Sequence, residues 1–438
     1  MYKEIAMEIN HNNNNRFLEK DKIREVVIWD ETLRDGEQAP GAAFSLQQKI
    51  QLAELLDEAG VGIIDLGFPV VSEEERQTVK TINRLGLNAR TGVTLRAKKE
   101  DIDCALNCGI YRGFIFAPTS QLLIHTRFNM EGNTFKEQVL EVVKYALEMG
   151  MEVFFISEDT SRSDLEYIIP YFNELYQCGV DKIMITDTVG IMIPTTMKKL
   201  TAYIIENCHP GIKFGIHCHN DFGLATANTL AAIEAGITFP TLTLNGIGER
   251  AGNASFEETI MALELIYKVD TGIDLKKIMP LSRMVEQFSG LPVAPNKAVV
   301  GFNAFRHESG IHIHAMLKAL ETYETFPPEI LGRKREFVLG KHSGRSLIRS
   351  ILPPQSIGTE IEDILIDEIK RSDKNGEAKE KMIHQLQQYY MKELGITEDE
   401  LLNLYHNINA RLRPIESSTN IKSGEGTIST GPNRDQRG

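Results

Sequence analysis

Nine consecutive residues, Asp30-Glu31-Thr32-Leu33-Arg34-Asp35-Gly36-Glu37-Gln38, hold five ionisable side chains directly after the apolar run Val26-Val27-Ile28-Trp29. A strand that leaves a core and turns polar at its carboxyl end presents those groups at one mouth of an α/β fold, where ligands bind. Asp35 is suited to ligate a hard or borderline divalent cation, and Arg34 to hold an oxygen on which negative charge develops. The alternative is an exposed charged turn capping a helix.

A second cluster, His217-Cys218-His219-Asn220-Asp221, places two imidazoles two residues apart. On a strand that spacing points both to the same side; on a helix it would separate them. With Asp35 they make an N, N, O ligand set that leaves positions open for a substrate chelating through two oxygens, and Asn253 could add a weaker carbonyl ligand. Zinc, manganese and magnesium all suit this set, and ligand type favours the first two. Without Asp35, a hydrogen-bonded histidine pair would explain the spacing.

The elements that must position these groups alternate short β-like runs with longer helical ones. Strands are expected at 26–33, 62–68, 89–95, 113–118, 152–158, 182–188, 213–219 and 241–247, with helices between them such as 46–59, 134–149, 165–177 and 194–206. Gly60, Gly109, Gly150, Gly179 and Gly236 follow such segments, where a helix ends on a left-handed residue. Eight βα units over this length describe a (β/α)8 barrel of the TIM type. An open doubly wound sheet is the other reading, but no glycine-rich dinucleotide fingerprint follows the first strand. In the barrel, Arg34 and Asp35, Glu158, Thr188, His217 and His219, and the segment 246–253 all fall at carboxyl ends of strands, where barrel chemistry sits.

The 438 residues are 42% hydrophobic and 25% charged, a globular composition with room for one large domain and a smaller one. A net charge of -13 argues against nonspecific nucleic-acid binding and leaves room for a local basic patch. Five scattered cysteines, no apolar h-region in residues 1–22 and no membrane-length apolar run lead to the expectation of a cytoplasmic protein. Cys104 and Cys108 read as packing residues, since no second pair lies near. The expected organisation is a flexible segment 1–24, a barrel 25–285, a post-barrel lid 286–350, a helical subdomain 351–414 and a disordered tail 415–438, so that the barrel is followed by a smaller, mostly helical region.

The stretch 30–41, the 217–221 cluster and Gly246-Ile247-Gly248-Glu249-Arg250-Ala251-Gly252-Asn253 together resemble the DRE-TIM metallolyases, specifically their Claisen-condensing branch of homocitrate, 2-isopropylmalate, citramalate and Re-type citrate synthases. The resemblance runs from about Val26 to about Leu347. It implies an acyltransferase of amino-acid biosynthesis that joins acetyl-CoA to a 2-oxo acid and then hydrolyses the thioester. On that resemblance Asp35, His217 and His219 hold the metal, Arg34 holds the oxygen that becomes an alkoxide, Thr188 bonds the 2-oxo acid carboxylate and Glu158 lines the site. Phe305-Arg306-His307-Glu308-Ser309-Gly310-Ile311-His312 resembles the post-barrel segment that a neighbouring subunit lays over the active site, with His312 as acid/base and Tyr323 beside it, which implies a homodimer at least.

Homocitrate synthase, acting on 2-oxoglutarate, is the expected activity, because the chain after the catalytic region is too short for a full leucine-binding domain. Arg96, His125 and Arg127 are the expected cations for the distal carboxylate. Gln121 and Leu123 depart from the 2-isopropylmalate pattern, and Asp65 stands where Glu is commoner, so 2-isopropylmalate, citramalate, Re-citrate and phosphonomethylmalate synthesis remain alternatives. An acyl-CoA lyase of the same superfamily is disfavoured because residues 245–253 contain no cysteine. The basic segment 332–345 suits CoA phosphates or a solvated or subunit-facing surface equally.

Overall fold

The computed structural model describes Leu18, Ile23 and residues 25–352, 359–371, 376–393 and 398–412. The expected flexible start and disordered tail otherwise lie outside these residues. Eight parallel strands close into a barrel in chain order: β1 (Trp29–Asp30), β2 (Ile63–Asp65), β3 (Arg90–Arg96), β4 (Arg112–Pro118), β5 (Glu152–Glu158), β6 (Lys182–Asp187), β7 (Lys213–Cys218) and β8 (Phe239–Leu242). β8 returns to β1 with Trp29 opposite Thr241 and so shuts the barrel.

The two-residue period of the strands sorts their side chains into two cores. Trp29, Ile63, Phe114, Phe154, Ile156, Met184 and Phe239 point inward and plug the barrel. Their neighbours, such as Ile64, Ile115, Phe155, Ile183, Ile185 and Ile216, point outward against the helices. The plug is aromatic: the Trp29 and Phe114 ring centroids lie 4.2 Å apart, and Phe154 meets Trp29, Phe114 and Phe239 edge-on. The filled interior separates the polar residues of the carboxyl mouth from Arg112, Glu152 and Lys182, which form ion pairs at the amino ends of β4, β5 and β6.

The helices start and stop for local reasons. Ser45 caps the helix Leu46–Glu58 in a reciprocal box with Gln48, whose side chain accepts from the Ser45 N–H at 2.8 Å. Gly60, Gly109, Gly150, Gly179 and Gly236 have φ between +78° and +115°, so the chain leaves each helix through the left-handed region that favours glycine.

The largest departure from the expected strands is at the eighth, which was expected at 241–247. It ends at Leu242, because Leu244–Gly246 winds into a 3-10 turn with Asn245 at φ +58°. The first strand was expected through Leu33 and has ladder pairing only at Trp29–Asp30, since the N–H groups of Arg34 and Gly36 both fold back onto the Glu31 carbonyl. That turn places Glu31, Arg34 and Asp35 along one cavity.

After the barrel, β9 (Arg306–His307) and β10 (Glu336–Phe337) form a small parallel sheet, with Arg306 opposite Glu336. The helix Gly310–Met316 approaches Gly344 so closely that a Cβ on Gly310 would lie 2.7 Å from the Gly344 nitrogen. Two compact units divide the chain, one ending at Gln385 and the other starting at Leu386; the described part of the second includes the helix Glu398–Leu412.

Candidate active site

At the carboxyl mouth, Asp35, His217 and His219 meet, all buried, with one ligand atom from each lying within 4.8 Å of the others. Asp35 Oδ2 is 3.2 Å from His217 Nε2 and 3.9 Å from His219 Nε2, and the two Nε2 atoms are 3.3 Å apart. Ligand atoms about 2.1 Å from one ion sit roughly 3.0 Å apart in octahedral geometry and roughly 3.4 Å apart in tetrahedral geometry. Two of the three separations in the triad fall in that range, and the third, 3.9 Å between Asp35 and His219, is wider.

Further features of the donors fit a divalent ion. His217 Nδ1 faces Glu31 Oε2 at 3.0 Å and Thr241 Oγ1 at 2.9 Å, which fixes the ring so that Nε2 points into the site. Asn253 is bridged to His219 across an antiparallel pair, and its Oδ1 is buried with no hydrogen-bond partner. A Cβ on Gly248 would lie 2.4 Å from that oxygen and 3.4 Å from Asp35 Oδ1, so both oxygens border the same small space. Asp35 Oδ1 accepts from the Glu249 N–H at 3.4 Å, but a buried acceptor without a donor, as Asn253 Oδ1 is, is costly unless a ligand occupies the space beside it.

Charge is arranged to keep the carboxylate ionised. Burial opposes ionisation of Asp35, but Arg34 and the two histidines outweigh it and hold its carboxyl well below the usual range. Burial likewise opposes the charge on His217, yet Glu31 and Asp35 push it up to about 9, while burial and the neighbouring His217 push His219 down to about 4. Without a metal the pair therefore shares one proton. A divalent ion would replace it.

Arg34 is held by three acids. Its Nη2 pairs with Glu31, its Nη1 lies 3.2 Å from Asp35 Oδ2, and its Nε lies 3.7 Å from Asp65 Oδ2 with no hydrogen bond of its own. Asp65 is fully buried, accepts from Thr94 and from the Gly67 N–H, and has its pKa pushed up to about 7 by burial. Sequence reasoning gave neither Glu31 nor Thr241 a role. Glu31 stands two residues after Trp29 on the same face, and that periodicity could have revealed it.

The triad opens into a cavity of about 280 Å³ that Arg34, Thr188 and Glu158 also line. Thr188 Oγ1 accepts from the Asp159 N–H at 2.8 Å and lies 3.1 Å from Thr186 Oγ1. Thr186 already donates its hydroxyl proton to the Ser157 carbonyl at 2.6 Å, so Thr188 is the donor in the contact between the two hydroxyls, and its proton reaches a ligand in the cavity by turning away from Thr186. Glu158 receives both its contacts from Arg127, at 2.7 and 2.8 Å, and burial still raises its pKa against that partner.

The remaining expected residues are not gathered here. Arg96 is held in a two-point pair with Asp101 and lines a different cavity, together with Arg127. His125 is exposed and does not border the 280 Å³ cavity. His312 and Tyr323 stack on each other, centroids 3.9 Å apart and planes at 17°, on the exposed surface of the post-barrel region, and neither lines the metal cavity of its own chain. Within the basic segment, Arg333 donates to the carbonyls of Gly301 and Phe302, and Arg335 pairs with Glu324, so these two arginines are committed inside the subdomain.

A closed (β/α)8 barrel carrying an Asp-His-His triad and an arginine at its carboxyl mouth has the architecture of a barrel enzyme, with three side chains that could hold a divalent ion. The family model described as HMGL-like matches residues 25–285, and the one described as homocitrate synthase post-HMGL domain-like matches residues 299–381. The chain is 45% identical over 351 residues, 80% of its length and 87% of the relative's, to homocitrate synthase AksA of Methanopyrus kandleri. It is 41% identical over 351 residues to a probable 2-isopropylmalate synthase of the same organism, covering 80% of this chain and 69% of that one. With (R)-citramalate synthase CimA of Methanocaldococcus jannaschii it shares 42% over 339 residues, 77% of this chain and 69% of that one. The chain belongs to the HMGL-like family, among its acetyl-CoA-dependent synthases that condense with 2-oxo acids, and is an acyltransferase.

Proposed function

We propose that this site joins the methyl carbon of acetyl-CoA to C2 of a 2-oxo acid and then releases CoA by hydrolysis. The observation that carries the reading is the buried Asp35-His217-His219 triad with Arg34 against one side and the Thr188 hydroxyl on the same cavity. A zinc or manganese ion held by the triad, with Asn253 beside it, would supply Lewis-acid polarisation of the 2-oxo carbonyl. Arg34, fixed by Glu31, Asp35 and Asp65, donates to the carbonyl oxygen as negative charge develops on it. Thr188 donates to the substrate carboxylate, and its N–H···O contact from Asp159 fixes where that donor sits.

The acetyl methyl group must lose a proton, and the resulting carbon nucleophile attacks C2, leaving an alkoxide that takes up a proton. His312, supported by the stacked Tyr323, is the acid/base for both transfers. Because these two residues lie away from their own chain's cavity, they act from a partner subunit in a homodimer. Water then attacks the thioester carbonyl, and the C–S bond breaks to give the carboxylate and CoA thiol. Glu158 lines the cavity beside the reacting groups, where its carboxylate could orient that water.

Homocitrate formation draws support from the 45% identical relative and the matching post-barrel region. Its substrate needs a cation for a second carboxylate, yet Arg127 is neutralised by Glu158 and Arg96 by Asp101. The reaction class is tested by thiol release from acetyl-CoA with metal-loaded protein and a panel of pyruvate, 2-oxobutyrate, 2-oxoisovalerate, oxaloacetate and 2-oxoglutarate. At least one acid is expected to give CoA at a rate well above acetyl-CoA alone; no stimulation by any of them would refute the reading.

A further inference from the structure

Resting on that reading, we propose that the 2-oxo acid used by this chain carries an uncharged, apolar side chain, and that Phe116 is the residue that enforces this. The metal triad and Thr188 fix the 2-oxo carboxylate end of the substrate, so the side chain must turn toward the rest of the cavity. There the wall is Phe68, Phe116, Ile156 and Met184. Ile156 and Met184 belong to the barrel plug, and Phe116 packs on it.

A carboxylate pressed against this wall would give up water without gaining a partner, which is strongly unfavourable. The arginines that border the cavity are already engaged. Arg34 faces three acids, and Arg250 is forked onto Asp221 at 2.8 and 2.9 Å while also donating to the Thr188 carbonyl. Arg127 reaches the cavity only through Glu158, which takes both of its contacts.

Behind the wall lies a second cavity of about 300 Å³ bordered by Arg96, Lys98, Arg127 and the rings of Phe128 and Phe135. Phe116 lines both cavities. It follows Phe114 on the inward face of β4, stands opposite Ile156 in the ladder and has Phe68 at a centroid distance of 6.2 Å, so its ring is held in place from below and from the side. Phe116 is the ring the two cavities share, and Arg127 meets the metal cavity across Glu158, so a distal carboxylate would have to pass that ring or displace Glu158 to reach a cation. Phe116 thus separates an apolar pocket from a basic one and excludes the dicarboxylic acid.

The test is kcat/KM for pyruvate, 2-oxobutyrate and 2-oxoglutarate with the full-length, metal-loaded protein and its Phe116→Ala and Phe116→Leu variants. On the unaltered protein pyruvate or 2-oxobutyrate is expected to exceed 2-oxoglutarate by at least tenfold. Phe116→Ala is expected to raise the 2-oxoglutarate-to-pyruvate ratio at least tenfold by joining the cavities, and Phe116→Leu, which removes less volume and keeps the fold if alanine does not, raises it less. A preference for 2-oxoglutarate on the unaltered protein, or an unchanged ratio in a folded Phe116 variant, overturns the inference while leaving the condensation intact. Absence of turnover with every acid instead removes the reading on which it rests.

Discussion

Asp35→Ala is expected to abolish bound divalent metal and to lower kcat/KM by about 10³-fold or more, since the reaction loses its Lewis acid. Asp35 is the only anionic member of the triad, and its carboxylate stays ionised despite burial because Arg34 and both histidines surround it. Removing it leaves two imidazoles, a set too sparse to retain the ion through dialysis. Asp35→Asn keeps the volume and one oxygen donor and is expected to fall between the two. Metal content by atomic spectroscopy and thiol release on the same dialysed samples separate this from unfolding, which thermal melting monitors. Full metal occupancy in Asp35→Ala would contradict the site.

Arg34→Lys is expected to lower kcat by about 10² to 10³-fold with the metal still bound, the loss typical of removing one donor to a developing oxyanion. A lysine keeps the positive charge that Glu31, Asp35 and Asp65 require, but its single ammonium cannot reach all three acids and the substrate oxygen as the guanidinium fork does. Arg34→Ala is expected to lose activity further and to lower stability by about 3–5 kcal/mol, because it leaves buried carboxylates without their common partner. The lysine variant isolates chemistry from folding: its kcat, metal content and melting temperature, read together, show a loss in the first alone. A near-normal kcat would remove Arg34 from the oxyanion role.

These two residues were legible in the sequence because a run of charge directly after an apolar strand has few other uses. The same holds for His217 and His219, whose two-residue spacing has one meaning on a strand. The barrel was legible because its period repeats eight times, with a glycine where several of the helices end. What could not be read were relations between distant segments. Nothing local announces that Glu31 supports His217, that Thr241 shares the task, or that Asp65 grips Arg34. Arg96 and Arg127 illustrate the opposite case. Their proximity to the ends of β3 and β4 suggested substrate contacts, but each has an acid within 2.8 Å, Asp101 five residues on for Arg96 and Glu158 at the end of β5 for Arg127. The eighth strand was misplaced because Pro240 disguises its start and the apolar residues after Leu242 belong to a turn.

The post-barrel region adds a different lesson. His312 and Tyr323 form a stacked pair that does not border the metal cavity of its own chain. The acid/base role proposed for it requires a second copy. Sequence spacing alone would have left both as surface residues.

The central claim, that a carbon–carbon bond forms between the acetyl methyl carbon and C2 of a 2-oxo acid at the metal triad, is tested most directly by product analysis. Metal-loaded protein is incubated with acetyl-CoA labelled with ¹³C in the methyl group and with pyruvate, and the product is examined by NMR. The account predicts the label in a methylene carbon bonded to a quaternary carbon that bears a hydroxyl and a carboxylate, with no such product from Asp35→Ala. Release of the label as free acetate alone, with the 2-oxo acid recovered unchanged from this and every other acid of the panel, would contradict it.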